Sequence, residues 1–212
     1  MRTLVIETAT AACSVALFED GACIDARHDV VGRGHAERLL PMIATLAGGG
    51  RADRILVDCG PGSFTGIRVG IAAAHGLALG WGVPAWGFSA LALVAAAAFA
   101  GEPAWQALAV VMEGGHGEVF MQPFAASPFD ALEPFASLRP ATALERLGGL
   151  PAMGDGVRHL LAIDPATDAR EAAPRAADAL LLPAAMTSLP VRPIYGRAPD
   201  ARPAAARAPV RD

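Results

Sequence analysis

Apolar and polar positions change their period along the chain, and the changes divide it into elements. Residues 3–7 are a short apolar run closed by an acid, and residues 14–18 alternate; both read as strands. Asp20-Gly21 is a two-residue hairpin signal, and the more polar residues 23–30 read as a third strand nearer an edge. In that register Cys23 lies opposite Phe18 and Cys13 opposite His28. From residue 35 to about residue 47 the period becomes helical, with Leu39, Met42, Ile43 and Leu46 on one face. Pro41 belongs in the first turn of this helix or kinks it, because an interior proline loses a hydrogen bond. Residues 54–58 read as a strand, 65–79 as a helix, 83–88 as a strand and 89–99 as a third helix. Hairpin-joined strands followed by alternating helices and strands predict an α/β fold, a mixed five-stranded sheet with helices on its faces.

The second half is less regular. Residues 106–113 and 117–124 read as strands, and 142–147 and 174–186 as helices. "MGDGVRHL" reads as a strand end, a turn and a helix start. The expected organisation is an N-terminal lobe over residues 1–101, a smaller lobe over 102–198 and an extended Arg/Pro/Ala-rich tail over 199–212.

Between residues 69 and 101 no side chain is formally charged, a run of 33 residues that is long enough to span a membrane. Gly80, Gly82 and Pro84 break it near the middle, so a buried helix, strand and helix explain it better. The N-terminus lacks the long apolar core of a signal peptide. Three cysteines, Cys13, Cys23 and Cys59, suit a reducing, cytoplasmic compartment and read as small buried hydrophobes.

The net charge of −4 argues against direct, tight RNA binding. There is no lysine, which removes Schiff-base chemistry and the phosphate-loop lysine. No two of the five histidines are three or four residues apart, so no helical metal pair exists and no metal is expected.

The stretch "CGPGSFTGIRVG", residues 59–70, looks like a phosphate loop but fails on spacing. Gly60, Gly62 and Gly66 have one residue too many for a dinucleotide fingerprint, and no Walker pattern fits. Ser63 lacks the flanking glycines of a nucleophile elbow. Packing accounts for the stretch: a tight exit from a strand, a capped helix, then Gly66, Gly70, Ala74 and Ala78 four apart as one smooth face. The helix is uncharged after Arg68, and the first helix offers a second row, Leu40, Ala44 and Ala47. Together they make a candidate patch for another protein. Anion binding at the capped helix start remains as an alternative. Glu7, Thr8 and Thr10 at the first strand-turn are weak candidates for holding phosphate and Mg²⁺, with Asp58 beside them; otherwise they serve turn amides. Glu113, between two strands, reads as a hairpin acid.

"LVIETATAACSVALFEDG", "HAERLLPMI", "GPGSFTGIRVG", "AHGLALGWGVPAWGFSAL", "GHGEVF", "GDG" and "PIYGRAPDARP", in this order, resemble the TsaB (YeaZ) family. The resemblance implies a two-lobed actin-like, sugar-kinase-like (ASKHA) fold. It also implies a non-catalytic dimerisation subunit of the bacterial tRNA threonylcarbamoyladenosine machinery. Such a chain binds the transferase TsaD and the ATPase TsaE, meets tRNA only indirectly and carries no cofactor. The interface would use the first two helices of the N-terminal lobe, here Leu39, Leu40, Ile43, Ala44, Ala47, Gly66, Ile67, Gly70, Ile71, Ala74 and Ala78. Glu7 stands where the family usually has Asp, and "EGGHGEVF" where an Asp-Ala-Arg run usually precedes "GEVY". The rival readings are an active ATP-dependent phosphotransferase of the same fold and a regulatory homodimer formed through the same helices.

Overall fold

A computed structural model describes residues 1–196; the tail expected over 199–212 lies outside the described residues. Strands β1 (Arg2–Glu7), β2 (Ala12–Glu19) and β3 (Ala22–Val30) form an antiparallel meander. Asp20 and Gly21 both have positive φ, 49° and 85°. That is the twist a two-residue hairpin needs, and Gly adopts it without a Cβ penalty. Phe18 faces Cys23 as the pattern predicts, but an irregularity between Leu17 and Phe18 shifts the rest of the ladder by one. Cys13 therefore faces Asp29, not His28, which pairs with Ser14. Cys23 is also not buried: β3 is the edge strand and its thiol is exposed, whereas Cys13 and Cys59 lie in the core.

Helix α1 (His35–Ala44) leads to β4 (Arg54–Asp58), α2 (Phe64–Trp81), β5 (Ala85–Phe88) and α3 (Ala90–Gly101). The sheet order is β3-β2-β1-β4-β5, with β4 parallel to both β1 and β5. Helix α1 ends three residues before Ala47, and Pro41 sits inside it rather than in the first turn. A proline there leaves the Glu37 carbonyl without its helical donor, and the left-handed Gly48 and Gly49 cannot extend the helix. Helix α3 is buried nearly all round, with eight of its residues in the core, which explains the last 12 residues of the charge-free run. No helix among the described residues is long and apolar enough to cross a membrane.

The second sheet has the order β11-β10-β6-β7-β8, from β6 (Ala107–Gly115), β7 (Glu118–Ala126), β8 (Phe129–Ala131), β10 (Ala152–Met153) and β11 (Ala169–Arg170). Strand β9 (Ala136–Leu138) also pairs with β7. Successive residues of β6 face opposite sides. Leu108, Val110 and Met112 join the core shared with α3 and the first sheet. Ala109 and Val111 pack in a second cluster with Ala143 and Leu147, from and just after α4 (Pro140–Arg146), and with Val157 and Leu160 of α5 (Val157–Leu161). The helix expected over residues 174–186 does not form. Two 3₁₀ turns, Ala176–Leu181 and Ala184–Thr187, flank Pro183, and the residue before it, Leu182, is extended (φ −70°, ψ 133°). Steric clash with a proline ring disfavours helix at that position.

Candidate functional site

The glycine-rich loop joins β4 to α2, and three of its amides already donate within the chain. Gly60 N donates to Asp58 Oδ1 at 2.9 Å, and Ser63 N to the Ala9 carbonyl at 2.6 Å. Ser63 caps α2, its Oγ accepting from Gly66 N at 3.2 Å. The glycines allow close approach to the turn between β1 and β2. A Cβ on Gly62 would collide with the Ala9 carbonyl, one on Gly66 with the Thr8 carbonyl, and one on Gly70 with Thr8 Oγ1. The loop thus seats α2 on its own sheet.

This geometry corrects the expected docking ridge. Gly66, Gly70 and Ala74 are buried against their own chain, as are Ile67 and Ile71. Leu39 and Ile43 of α1 are core residues too. A foreign backbone cannot reach any of the seven while the chain is folded. Ala78 is half-buried, and Leu40, Ala44 and Ala47 are exposed. The solvent face of α2 is instead Thr65, Arg68, Ala72, His75, Gly76 and Leu79, with Leu79 87% and Leu40 52% exposed.

Glu7, Thr8 and Thr10 are all buried. Glu7 Oε1 accepts from Ala9 N at 2.6 Å and Thr10 Oγ1 from Ala12 N at 3.1 Å, so both hold the turn. Glu7 Oε2, Thr8 Oγ1 and Asp58 Oδ2 have no partner among the described residues. Burial pushes Asp58 up to about 7; burial first, then the Asp58 charge, raises Glu7 well above the usual carboxylate range. Among the described residues no group of three or more His, Cys, Asp or Glu is arranged to hold a metal ion.

The pair has a measurable consequence. Asp58 titrates higher in the folded chain than in the unfolded one, so the folded state keeps a proton that the unfolded state has released. The Asp58 contribution to stability therefore falls as pH rises from about 4 to about 7, and Glu7, raised for the same reason, adds to the fall. Asp58→Asn removes the charge without changing the shape. It should lessen this fall and be more stable than the parent by on the order of 2 kcal/mol at pH 8, with little difference at pH 4. Urea midpoints at the two pH values check this; equal slopes for both proteins would contradict it.

Two arrangements escaped the sequence reading. Glu113 is more than a hairpin acid: its Oε2 accepts from Arg158 Nη2 at 2.5 Å and from His159 Nε2 at 2.7 Å, tying β6 to α5. Burial alone would raise its pKa, but His159 and Arg158 outweigh that and hold it low. The second arrangement is a strap over residues 189–195. Leu189 and Gly87 exchange backbone hydrogen bonds of 2.7 and 3.0 Å, and Ile194 N donates to the Cys59 carbonyl at 2.7 Å. His75 Nε2 lies 3.2 Å from the Val191 carbonyl oxygen. Pro190 and Pro193 mark its extended backbone in the sequence, and the second of them opens the motif "PIYGRAPDARP".

Comparison with known proteins fits this geometry. The family model for TsaD, tRNA N6-adenosine threonylcarbamoyltransferase, matches residues 29–127. The Escherichia coli K12 tRNA threonylcarbamoyladenosine biosynthesis protein TsaB is 43% identical over 125 residues, 57% of this chain and 53% of that protein. The Haemophilus influenzae TsaB is 43% identical over 101 residues, 45% of this chain and 42% of that one. The chain thus spans about half the length of the curated relatives it matches. Solved structures extend the likeness. YeaZ from Pseudomonas aeruginosa superposes with a TM-score of 0.72 at 28% identity, covering 85% of this chain and 89% of that one. A Pseudomonas aeruginosa protein described as similar to peptidase YEAZ gives 0.74 at 27% identity over 92% and 99%. Matched in sequence over about half its length and in structure over most of it, the chain is similar to the TsaB (YeaZ) proteins and shares their α/β fold.

Proposed function

We propose that this chain is a non-catalytic scaffold in tRNA threonylcarbamoyladenosine biosynthesis, working in the cytoplasm. It docks a TsaD-like transferase subunit through the outer faces of α1 and α2, in an assembly that a TsaE-like ATPase joins. The observation that carries this reading is α2 itself: 18 residues long, with Arg68 as its only formal charge, yet presenting Ala72, Gly76 and Leu79 to solvent. An uncharged face of that size suits a protein partner better than water. The match of residues 29–127 to the TsaD model supports the pairing, because a partner with equivalent helices can oppose them in a near-symmetric way.

The phosphotransferase rival needs loop amides free for phosphate, but Gly60, Ser63 and Gly66 already donate within the chain. Titration calorimetry with ATP and Mg²⁺ should give no binding tighter than millimolar. Light scattering of the chain mixed with the TsaD-like subunit should give a one-to-one complex. Micromolar ATP binding, or no complex, would refute the scaffold reading.

A further inference from the structure

The strap and α2 together build a composite face with an unusual cation at one end. The guanidinium carbon of Arg68 lies 3.3 Å from the Phe64 ring centroid and 5.5 Å from that of Tyr195. Its Nη2 donates to Tyr195 Oη at 2.9 Å. Both rings are largely open to solvent, Phe64 at 64% and Tyr195 at 57%. The guanidinium is therefore held at the surface by two rings and one hydrogen bond, and its remaining donors have no acceptor among the described residues.

Its charge setting is equally selective. The helix and the strap that hold Arg68 lie within residues 59–101 and 179–196. Neither stretch contains an Asp or Glu, and their only formal charges are Arg68 and Arg192, in a chain whose net charge is −4. Arg68 makes no ion pair among the described residues, so it has no internal ion partner to lose on binding. An arginine already fixed by stacking gives up little freedom when a bidentate carboxylate arrives. Arg and Tyr are also the residue types that dominate interface energetics when they are ringed by apolar groups.

We infer that Arg68, held by Phe64 and Tyr195, anchors a partner protein by taking an Asp or Glu carboxylate set in an apolar surround. This rests on the scaffold reading and names the chemistry of its docking site. A nucleic-acid phosphate is the weaker occupant. Binding along a phosphate backbone draws on a run of cations, each releasing counterions, and this face has two arginines and no lysine.

The test titrates the purified TsaD-like subunit, and separately unfractionated tRNA, against four forms of the full chain: wild type, Arg68→Ala, Arg68→Lys and Leu79→Glu. Arg68→Ala should weaken binding of the protein partner about 30-fold, and Arg68→Lys about 10-fold, because an ammonium cannot stack or bind in a fork. Melting temperatures should stay within about 2 °C, since the side chain is exposed. Arg68→Ala binding within 3-fold of wild type while Leu79→Glu abolishes it would overturn the anchor and spare the docking face. Full binding by both variants would overturn both. Loss of tRNA binding with protein binding intact would overturn the carboxylate assignment in favour of phosphate.

Discussion

Gly66→Ala is expected to destabilise the chain by about 3 kcal/mol, whereas Gly76→Ala, ten residues along the same helix, should stabilise it by about 0.5–1 kcal/mol. The chemical change is identical, so the difference is one of place. A Cβ at Gly66 drives into the Thr8 carbonyl and the Ser63 side chain, and backbone at a strand end cannot give way cheaply. At Gly76 nothing lies within 4 Å, and alanine only reduces the entropy of the unfolded chain. Urea midpoints of the two variants check both signs at once. Equal midpoints would mean that α2 is not seated on the turn between β1 and β2.

The second large effect is on binding. The double variant Leu40→Glu, Leu79→Glu should lose about 100-fold in affinity for a TsaD-like subunit while folding as well as the parent. Both leucines are already exposed, so a carboxylate costs the free chain little. In the complex it would have to leave water at a position that otherwise buries an apolar side chain. Calorimetric titration measures the loss, and a denaturation curve confirms the unchanged fold. Affinity within a few-fold of the parent would place the docking face elsewhere.

The same helix shows what could be read from the residues and what could not. Its length and cap follow from Ser63, the apolar period and Gly82, which ends it in the left-handed conformation. The spacing of Gly66, Gly70 and Ala74 says that something approaches closely, but not what. The neighbour is Thr8, almost sixty residues earlier, and only the register of β1 beside β4 brings it there. The outer face was legible in part, through Leu40, Ala44 and Ala47. Phe64 and Arg68 gain their setting from Tyr195, 127 residues away from Arg68. The strap has no period at all, because most of its hydrogen bonds go to β5, Cys59 and α2, and one, from Arg192 N to the Pro190 carbonyl, lies within it. Glu113 is similar, since its partners Arg158 and His159 come from another element. Local signals fixed the strands and helices of the first hundred residues to within three or four positions. Where they failed, a proline had broken the expected helix, as at Pro183, left-handed glycines had stopped it short, as after α1, or the contact was remote in sequence.

The most direct measurement is reconstituted threonylcarbamoyl transfer to tRNA by a TsaD-like subunit and a TsaE-like ATPase, with and without this chain. The account predicts no turnover by the chain alone, clear stimulation by wild type and none by the Leu40→Glu, Leu79→Glu variant. Turnover of ATP by the isolated chain, or equal stimulation by the double variant, would contradict it.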